Sequence, residues 1–180
     1  MNADAPRPQV RVFMATSLDG FIAGKGDDLS WLPDPVDAND DHGYAAHMAT
    51  IGCLLFGRRT YDVVLGFGSW PYGEMPMVVA TSRPLDPPVP TVQAASGDIA
   101  SLIGKARELA AGKDIYLDGG NLIRQALDAG LVDQMTLTLI PTILGEGIPL
   151  FAGCAKRHRL QLQSSRSLPG NLVQLVFRPE

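Results

Sequence analysis

Cysteine is scarce in this chain: Cys53 and Cys154 are the only two in 180 residues. Neither belongs to a Cys-x-x-Cys pair or to a Cys/His spacing of the zinc type. Cys53 lies inside an apolar run, where a thiol acts as a small core side chain, and nothing in the chain requires an oxidising compartment. Long apolar runs are missing as well, so no segment has the ~20 residues needed to span a bilayer. Residues 1–8 are polar and lack the apolar centre of a signal peptide. Positive charge is not in excess, since 15 Lys and Arg face 19 Asp and Glu for a formal net charge of -4. That balance argues against nucleic acid or an anionic membrane as the main partner. The expectation is a cytoplasmic protein that handles a small molecule.

Several catalytic signatures are also absent. Gly66-Phe67-Gly68 runs into Ser69-Trp70-Pro71 and so lacks the third glycine of the Rossmann fingerprint. There is no P-loop lysine motif, no Gly-x-Ser-x-Gly elbow and no deaminase zinc signature. His42 and His47 are poorly spaced for one helical face and read as polar helix surface. His158 sits among Lys156, Arg157 and Arg159 and reads as exposed. No metal site is expected.

What the chain does have is apolar mass: 46% of its residues are hydrophobic, enough for one domain with a real core. Residues 1–8 read as a flexible tail and 9–180 as a single domain. Strand-like runs at 10–15, 53–56, 77–80, 91–94, 115–117 and 135–140 alternate with helical periodicity. Residues 42–51 suit a short helix, with Tyr44, Met48 and Ile51 on one face. Another helix opens at Thr60 and ends at Gly66. Ile99, Leu102, Ile103, Ala106 and Leu109 mark a third, with Asp98 as N-cap and Gly112 as stop. Leu122, Ile123, Ala126 and Leu127 mark a fourth. Residues 160–168 and 172–177 alternate around Pro169-Gly170 and predict an antiparallel hairpin. Residues 24–41 form a long polar loop, the kind that serves as a lid or binding loop. The fold class is α/β with a mixed, mostly parallel sheet.

Three strand-to-turn junctions carry the chemistry: Gly57-Arg58-Arg59-Thr60, Thr81-Ser82-Arg83 and Asp118-Gly119-Gly120-Asn121. If their strands are neighbours, all three turns meet at the carboxyl edge of the sheet, where open α/β sheets bind ligands. Two are helix N-termini with free amides that attract anions. The third offers hydroxyls beside an arginine. Together they suit a dinucleotide, with pyrophosphate on the amides and a further phosphate among Arg58, Ser82 and Arg83.

These pieces resemble the dihydrofolate-reductase-like superfamily. The chain is most similar to the branch holding the reductase domain of the bifunctional riboflavin-biosynthesis deaminase/reductase. The resemblance rests on Ser17-Leu18-Asp19-Gly20-Phe21-Ile22-Ala23, Gly57-Arg58-Arg59-Thr60-Tyr61, Val79-Ala80-Thr81-Ser82-Arg83, Gly119-Gly120, Leu137-Thr138-Leu139-Ile140-Pro141 and Gly145-Glu146-Gly147-Ile148-Pro149-Leu150-Phe151. It implies a three-layer sandwich and an NADPH-dependent reductase acting on a pterin, an aminopyrimidine of the riboflavin-pathway type or a related heterocycle. It places the nicotinamide near Ala15, Ile22 and Gly24. It assigns the pyrophosphate to Arg59, Thr60 and the Gly119-Gly120-Asn121-Leu122 turn, and the 2′-phosphate to Arg58, Ser82 and Arg83; Gly57 and Thr81 complete the expected cofactor-binding set. Thr138 would lie near substrate. Trp31-Leu32-Pro33 resembles the loop that precedes a pterin-gripping carboxylate; among Asp34, Asp37, Asp40 and Asp41 register favours Asp41, with Asp19 as the rival. A homodimer is expected, and residues 135–144 read either as its interface or as an internal strand. Two other readings stay open: a module of the same fold that binds a nucleotide without turnover, and a flavin-dependent protein.

Overall fold

Period-two alternation along the strands sorts the apolar side chains into two cores. Cys53 and Leu55 point to one face of the sheet, Leu54 and Phe56 to the other. Ile115 and Leu117 follow the first pair, Tyr116 the second, as successive side chains on a strand must. The computed structural model describes residues 7–33 and 41–180. Its elements run β1 (Val10–Ser17), β2 (Phe21–Ala23), α1 (Tyr44–Thr50), β3 (Ile51–Gly57), α2 (Arg58–Leu65), β4 (Met77–Ala80), β5 (Val92–Ala95), α3 (Ile99–Leu109), β6 (Asp114–Asp118), α4 (Gly120–Asp128), β7 (Gln134–Ile140), β8 (Ile148–Pro149), β9 (Leu160–Leu168), a single 3-10 turn and β10 (Leu172–Pro179).

Eight strands form one sheet in the order β5-β4-β3-β6-β1-β7-β10-β9. The first six run parallel, and β10 and β9 close the sheet antiparallel. Helices α3 and α4 pack on one face through Leu102, Ile103, Ala106, Ile123 and Ala126. Helices α1 and α2 cover the other through Tyr44, Met48, Tyr61 and Val64. This is the three-layer α/β sandwich with a mixed sheet that the sequence predicts. Asp98 caps α3, accepting a hydrogen bond from Ser101 N at 2.7 Å, and burial pushes the Cys53 thiol up to about 12.

Two helix boundaries need correction, and the strand pairing adds two further points. Helix α1 starts at Tyr44, because His42 and Gly43 both have positive φ. Helix α2 starts at Arg58, so both arginines belong to its first turn. β2 does not join the main sheet; it pairs with β8 in a two-stranded flap. β7 is flanked on both sides by β1 and β10, so of the two readings of residues 135–144 it takes the internal strand.

Strands β3 and β6 are adjacent, but their following helices diverge. Helix α2 drops onto one face and α4 onto the other. Between them the carboxyl edge splits open, the arrangement that makes a ligand crevice in open α/β sheets.

Candidate functional site

The split edge is the floor of a cavity of about 720 Å³. Gly57 opposes Ala80, and Phe56 opposes Asp118 in the sheet register. The three strand-to-turn junctions are therefore neighbours. Of the residues the sequence assigned to a cofactor, Ala15, Ile22, Gly57, Arg58, Arg59, Thr60, Arg83, Gly119, Gly120, Asn121 and Leu122 line this cavity. Gly24, Thr81 and Ser82 do not. Gly24 is tied into the loop, its N–H donating to the Asp28 carbonyl at 2.8 Å. Thr81 Oγ1 accepts from Arg83 N at 3.1 Å.

The two helix N-termini have features that suit an anion. Neither α2 nor α4 has a side-chain N-cap, and neither carries an acidic residue in its first turn. Their first amides therefore lack side-chain acceptors and present the positive end of the helix dipole. Gly119 lets the two turns touch: its φ is +111°, and an added Cβ would lie 3.1 Å from Thr60 Oγ1 and 3.2 Å from Gly57 N. The arginines at the mouth are held by exchangeable acids. Arg58 Nε donates to Asp62 Oδ1 at 2.7 Å and its Nη1 to the Pro84 carbonyl at 3.1 Å. Arg83 approaches the other Asp62 oxygen at 3.6 Å. Arg59 Nε donates to Asp27 Oδ1 at 2.6 Å. Exposed pairs of this kind contribute only ~0–1 kcal/mol, so a phosphate could compete for the same guanidinium groups.

The flap made by β2 and β8 forms one wall, through Ile22, Ala23 and Ile148. Its closeness is set by Gly147, where a Cβ would come within 2.2 Å of the Ala23 carbonyl oxygen.

None of the carboxylates favoured from sequence reaches the cavity. Asp19 accepts from Ser17 Oγ at 2.6 Å and from the amides of Leu144 and Gly145 at 3.1 and 2.8 Å. The Ser17 hydroxyl and these amides hold its carboxyl down at about 2. Asp41 accepts from the amides of Ala45 and Gly43 at the start of α1, and these lower its pKa. Both stay ionised at neutral pH, which suits turn-holding rather than proton donation. Asp34, Asp37 and Asp40 lie outside the described residues. Thr138 is buried in β7, its Oγ1 accepting from Gln174 Nε2 at 3.0 Å, and it does not line the cavity.

The acid on the cavity floor is Asp118, which the sequence places in the third junction without a role for its carboxyl. It ends β6 two positions after Tyr116, so both side chains fall on the aromatic face. Tyr116 Oη lies 2.9 Å from Asp118 Oδ2. Phe13, Tyr72 and Tyr116 line the cavity beside it. Part of the Asp118 side chain opens to the cavity, yet the protein packed around it makes ionisation costly. That desolvation raises its pKa to about 6, against the opposing hydrogen bonds from Tyr116 and Gly119 N. Tyr44 and Tyr72 share a side-chain hydrogen bond and have raised pKa values, burial being the main cause.

The two remaining histidines also depart from expectation. His47 is buried, not on a polar surface. Its ring lies 4.9 Å from both Phe13 and Tyr116. Burial, then the charge of Arg11, lowers its pKa to about 4. His158 is not exposed either; it is partly buried, with Nε2 2.8 Å from Asp128 Oδ1.

Comparison with known proteins agrees with this architecture. The chain superposes on a putative riboflavin biosynthesis protein from Shewanella sp. PV-4 with a TM-score of 0.85 and 32% identity, covering 96% of this chain and 99% of that one. A Thermotoga maritima diaminohydroxyphosphoribosylaminopyrimidine deaminase/5-amino-6-(5-phosphoribosylamino)uracil reductase matches at TM-score 0.68 and 18% identity, over 97% of this chain and 57% of that one. Dihydrofolate reductase from Enterococcus faecalis, complexed with NADP(H), matches at TM-score 0.64 and 15% identity, over 96% of each chain. The last two establish the shared dihydrofolate-reductase-like fold. Residues 8–174 match the RibD C-terminal domain, and the chain belongs to that family.

Proposed function

We propose that this protein is an NADPH-dependent reductase of a small heterocycle, of the aminopyrimidine or pterin class. The observation that carries the proposal is the meeting of two uncapped helix N-termini, the Arg58–Arg83 pair and one half-buried, desolvated carboxyl on the walls of a single cavity. The membership in the RibD C-terminal domain family and the dihydrofolate-reductase-like fold support the same reading.

The amides of α2 and α4 would hold the pyrophosphate, a use to which helix N-termini are suited. Arg58 and Arg83 would take the 2′-phosphate, with the Thr81 and Ser82 hydroxyls close by. Ala15 and Ile22 would border the nicotinamide. When bound, the reduced cofactor supplies a hydride. The chain's own work is to exclude water, orient the acceptor and deliver a proton. Phe13, Tyr72 and Tyr116 offer an aromatic wall for a planar ring. Asp118 is the proton donor: reduction of a C=N or C=O bond needs a hydride on carbon and a proton on the heteroatom. A carboxyl near pH 6 is poised for that transfer near physiological pH.

The test is a fluorescence titration with NADPH and NADH, followed by NADPH oxidation assays over a panel of aminopyrimidines and pterins. Tight NADPH binding, weaker NADH binding and turnover of one panel member is the expected result. Binding without turnover would replace the reductase by a nucleotide-binding module. No binding of either cofactor would remove the dinucleotide reading altogether.

A further inference from the structure

At the end of α4 remote from the cavity, three side chains of different chemistry converge. Asp128, Cys154 and His158 bring one carboxylate oxygen, one sulfur and one imidazole nitrogen within 4.8 Å of one another. All three are partly buried. Asp128 is the last residue of α4, and the chain after β8 folds back over it. Ala155 N donates to Asp128 Oδ2 at 2.8 Å, while Asp128 Oδ1 lies 2.8 Å from His158 Nε2. Cys154 is placed by its own turn, its N–H donating to the Phe151 carbonyl at 3.1 Å.

A latch between helix and loop requires only the Asp128–His158 pair. A sulfur within reach of both ligands is what that pair alone does not explain. We propose that Asp128, Cys154 and His158 bind a divalent transition metal of the zinc class. One thiolate, one imidazole and one carboxylate is a donor set for zinc, whereas magnesium and calcium favour all-oxygen shells. Tetrahedral bonds of about 2.0–2.3 Å set ligand atoms roughly 3.3–3.6 Å apart. The oxygen–nitrogen pair must therefore open slightly and the sulfur close in by up to roughly 1.5 Å.

Two features around the cluster favour a cation. It sits at a helix C-terminus, where the last carbonyls concentrate negative potential. The Ala155 amide on Asp128 Oδ2 orients the carboxylate as outer-shell partners of metal ligands do. The nearby guanidinium of Arg124 donates its Nη1 to the Pro149 and Leu150 carbonyls at 2.9 and 3.1 Å, and its charge favours the Cys154 thiolate, the form that ligates. Metal binding would release the Cys154 thiol proton to solvent, and the thiolate would complete the bond. The bound ion would pin residues 154–158 to α4, whose first residue, Gly120, lines the cavity.

The experiment is a titration of the chelator-stripped full chain with cobalt(II) alone. One equivalent should give a thiolate-to-cobalt charge-transfer band, bleached by zinc. Cys154→Ser should abolish the band, and His158→Ala should weaken cobalt binding about 10-fold or more. No saturable band, or a band that survives Cys154→Ser, overturns the proposal. A second readout needs no variant: zinc should slow modification of Cys154 by a thiol reagent at least 10-fold, the fully buried Cys53 being distinguished by peptide mapping. An unchanged rate would also overturn it.

Discussion

Tyr116 Oη stands 2.9 Å from Asp118 Oδ2 and 3.0 Å from the Phe13 carbonyl oxygen. A phenol has a single proton, so it cannot donate to both acceptors at once. When Asp118 is protonated the conflict disappears: the carboxyl donates to Tyr116 Oη, and Tyr116 donates to Phe13. When Asp118 is ionised, Tyr116 divides its one proton between the two acceptors, and its bond to the carboxylate opposes the desolvation that raises Asp118 to about 6.

From this follows a kinetic expectation. If protonated Asp118 is the proton donor, kcat/KM falls as pH rises through about 6. Asp118→Asn should lower kcat/KM by about 10²–10⁴, the usual yield of general acid catalysis, and flatten the profile. NADPH affinity should stay within about threefold, since the residues proposed to hold its 2′-phosphate and pyrophosphate do not include this side chain. A variant with wild-type turnover would remove Asp118 from the chemistry.

The same residue and His47 should shape stability with opposite slopes. The folded pKa of Asp118 is raised from 3.8 to about 6, so its contribution is full below 3.8 and is lost as pH rises through 6. At 1.36 kcal/mol per pH unit this is at most about 3 kcal/mol. Asp118→Asn should therefore gain stability relative to wild type as pH climbs from 4 to 7. For His47 the folded pKa drops from 6.5 to about 4, so its contribution is full above 6.5 and is lost as pH falls through 4. His47→Phe should flatten the acid limb of a plot of unfolding free energy against pH. An unchanged acid limb would mean that another group dominates it.

The fold was largely legible because its signals are local and periodic. The strands around Leu55, Val78 and Leu117 are apolar runs, and Ile99 to Leu109 repeats at helical spacing. The three junctions that line the cavity were legible because each is a short local motif at a strand end: Gly57-Arg58-Arg59-Thr60, Thr81-Ser82-Arg83 and Gly119-Gly120. The acid was not, because its character comes from surroundings: Asp118 looks like any Asp-Gly turn until Tyr116, Phe13 and Tyr72 enclose it. Asp41 and Asp19 drew attention as carboxylates near family-like motifs, but backbone amides of residues 43–45 and 144–145 hold them. His158 shows the same limit. Its partner Asp128 is 30 residues away, and no spacing rule connects them.

Gly119→Ala tests the contact between the two helix N-termini. A Cβ there meets Thr60 Oγ1 at 3.1 Å and the Gly57 amide at 3.2 Å, on a backbone with φ +111°. That conformation costs a non-glycine residue about 1–3 kcal/mol, and the clash pushes α2 away from α4. The expected result is a lower melting temperature together with at least a tenfold loss of NADPH affinity. Loss of stability with unaltered affinity would show that the turn does not carry the pyrophosphate.

The mouth arginines offer the sharpest separation of cofactor from fold. Arg58 and Arg83 converge on one carboxylate, Asp62, at 2.7 and 3.6 Å. A 2′-phosphate would have to compete with that carboxylate for both cations. Arg58→Ala removes a charged hydrogen bond of about 1.5–3 kcal/mol, so NADPH affinity should fall about 10- to 100-fold while NADH affinity barely changes. Asp62→Asn acts in the other direction: it frees the guanidinium groups and should tighten NADPH relative to NADH. Parallel titrations of wild type and both variants with the two cofactors read the ratio directly. Equal losses for NADPH and NADH in Arg58→Ala would place the 2′-phosphate elsewhere. A ratio left unmoved by Asp62→Asn would show that the carboxylate does not compete.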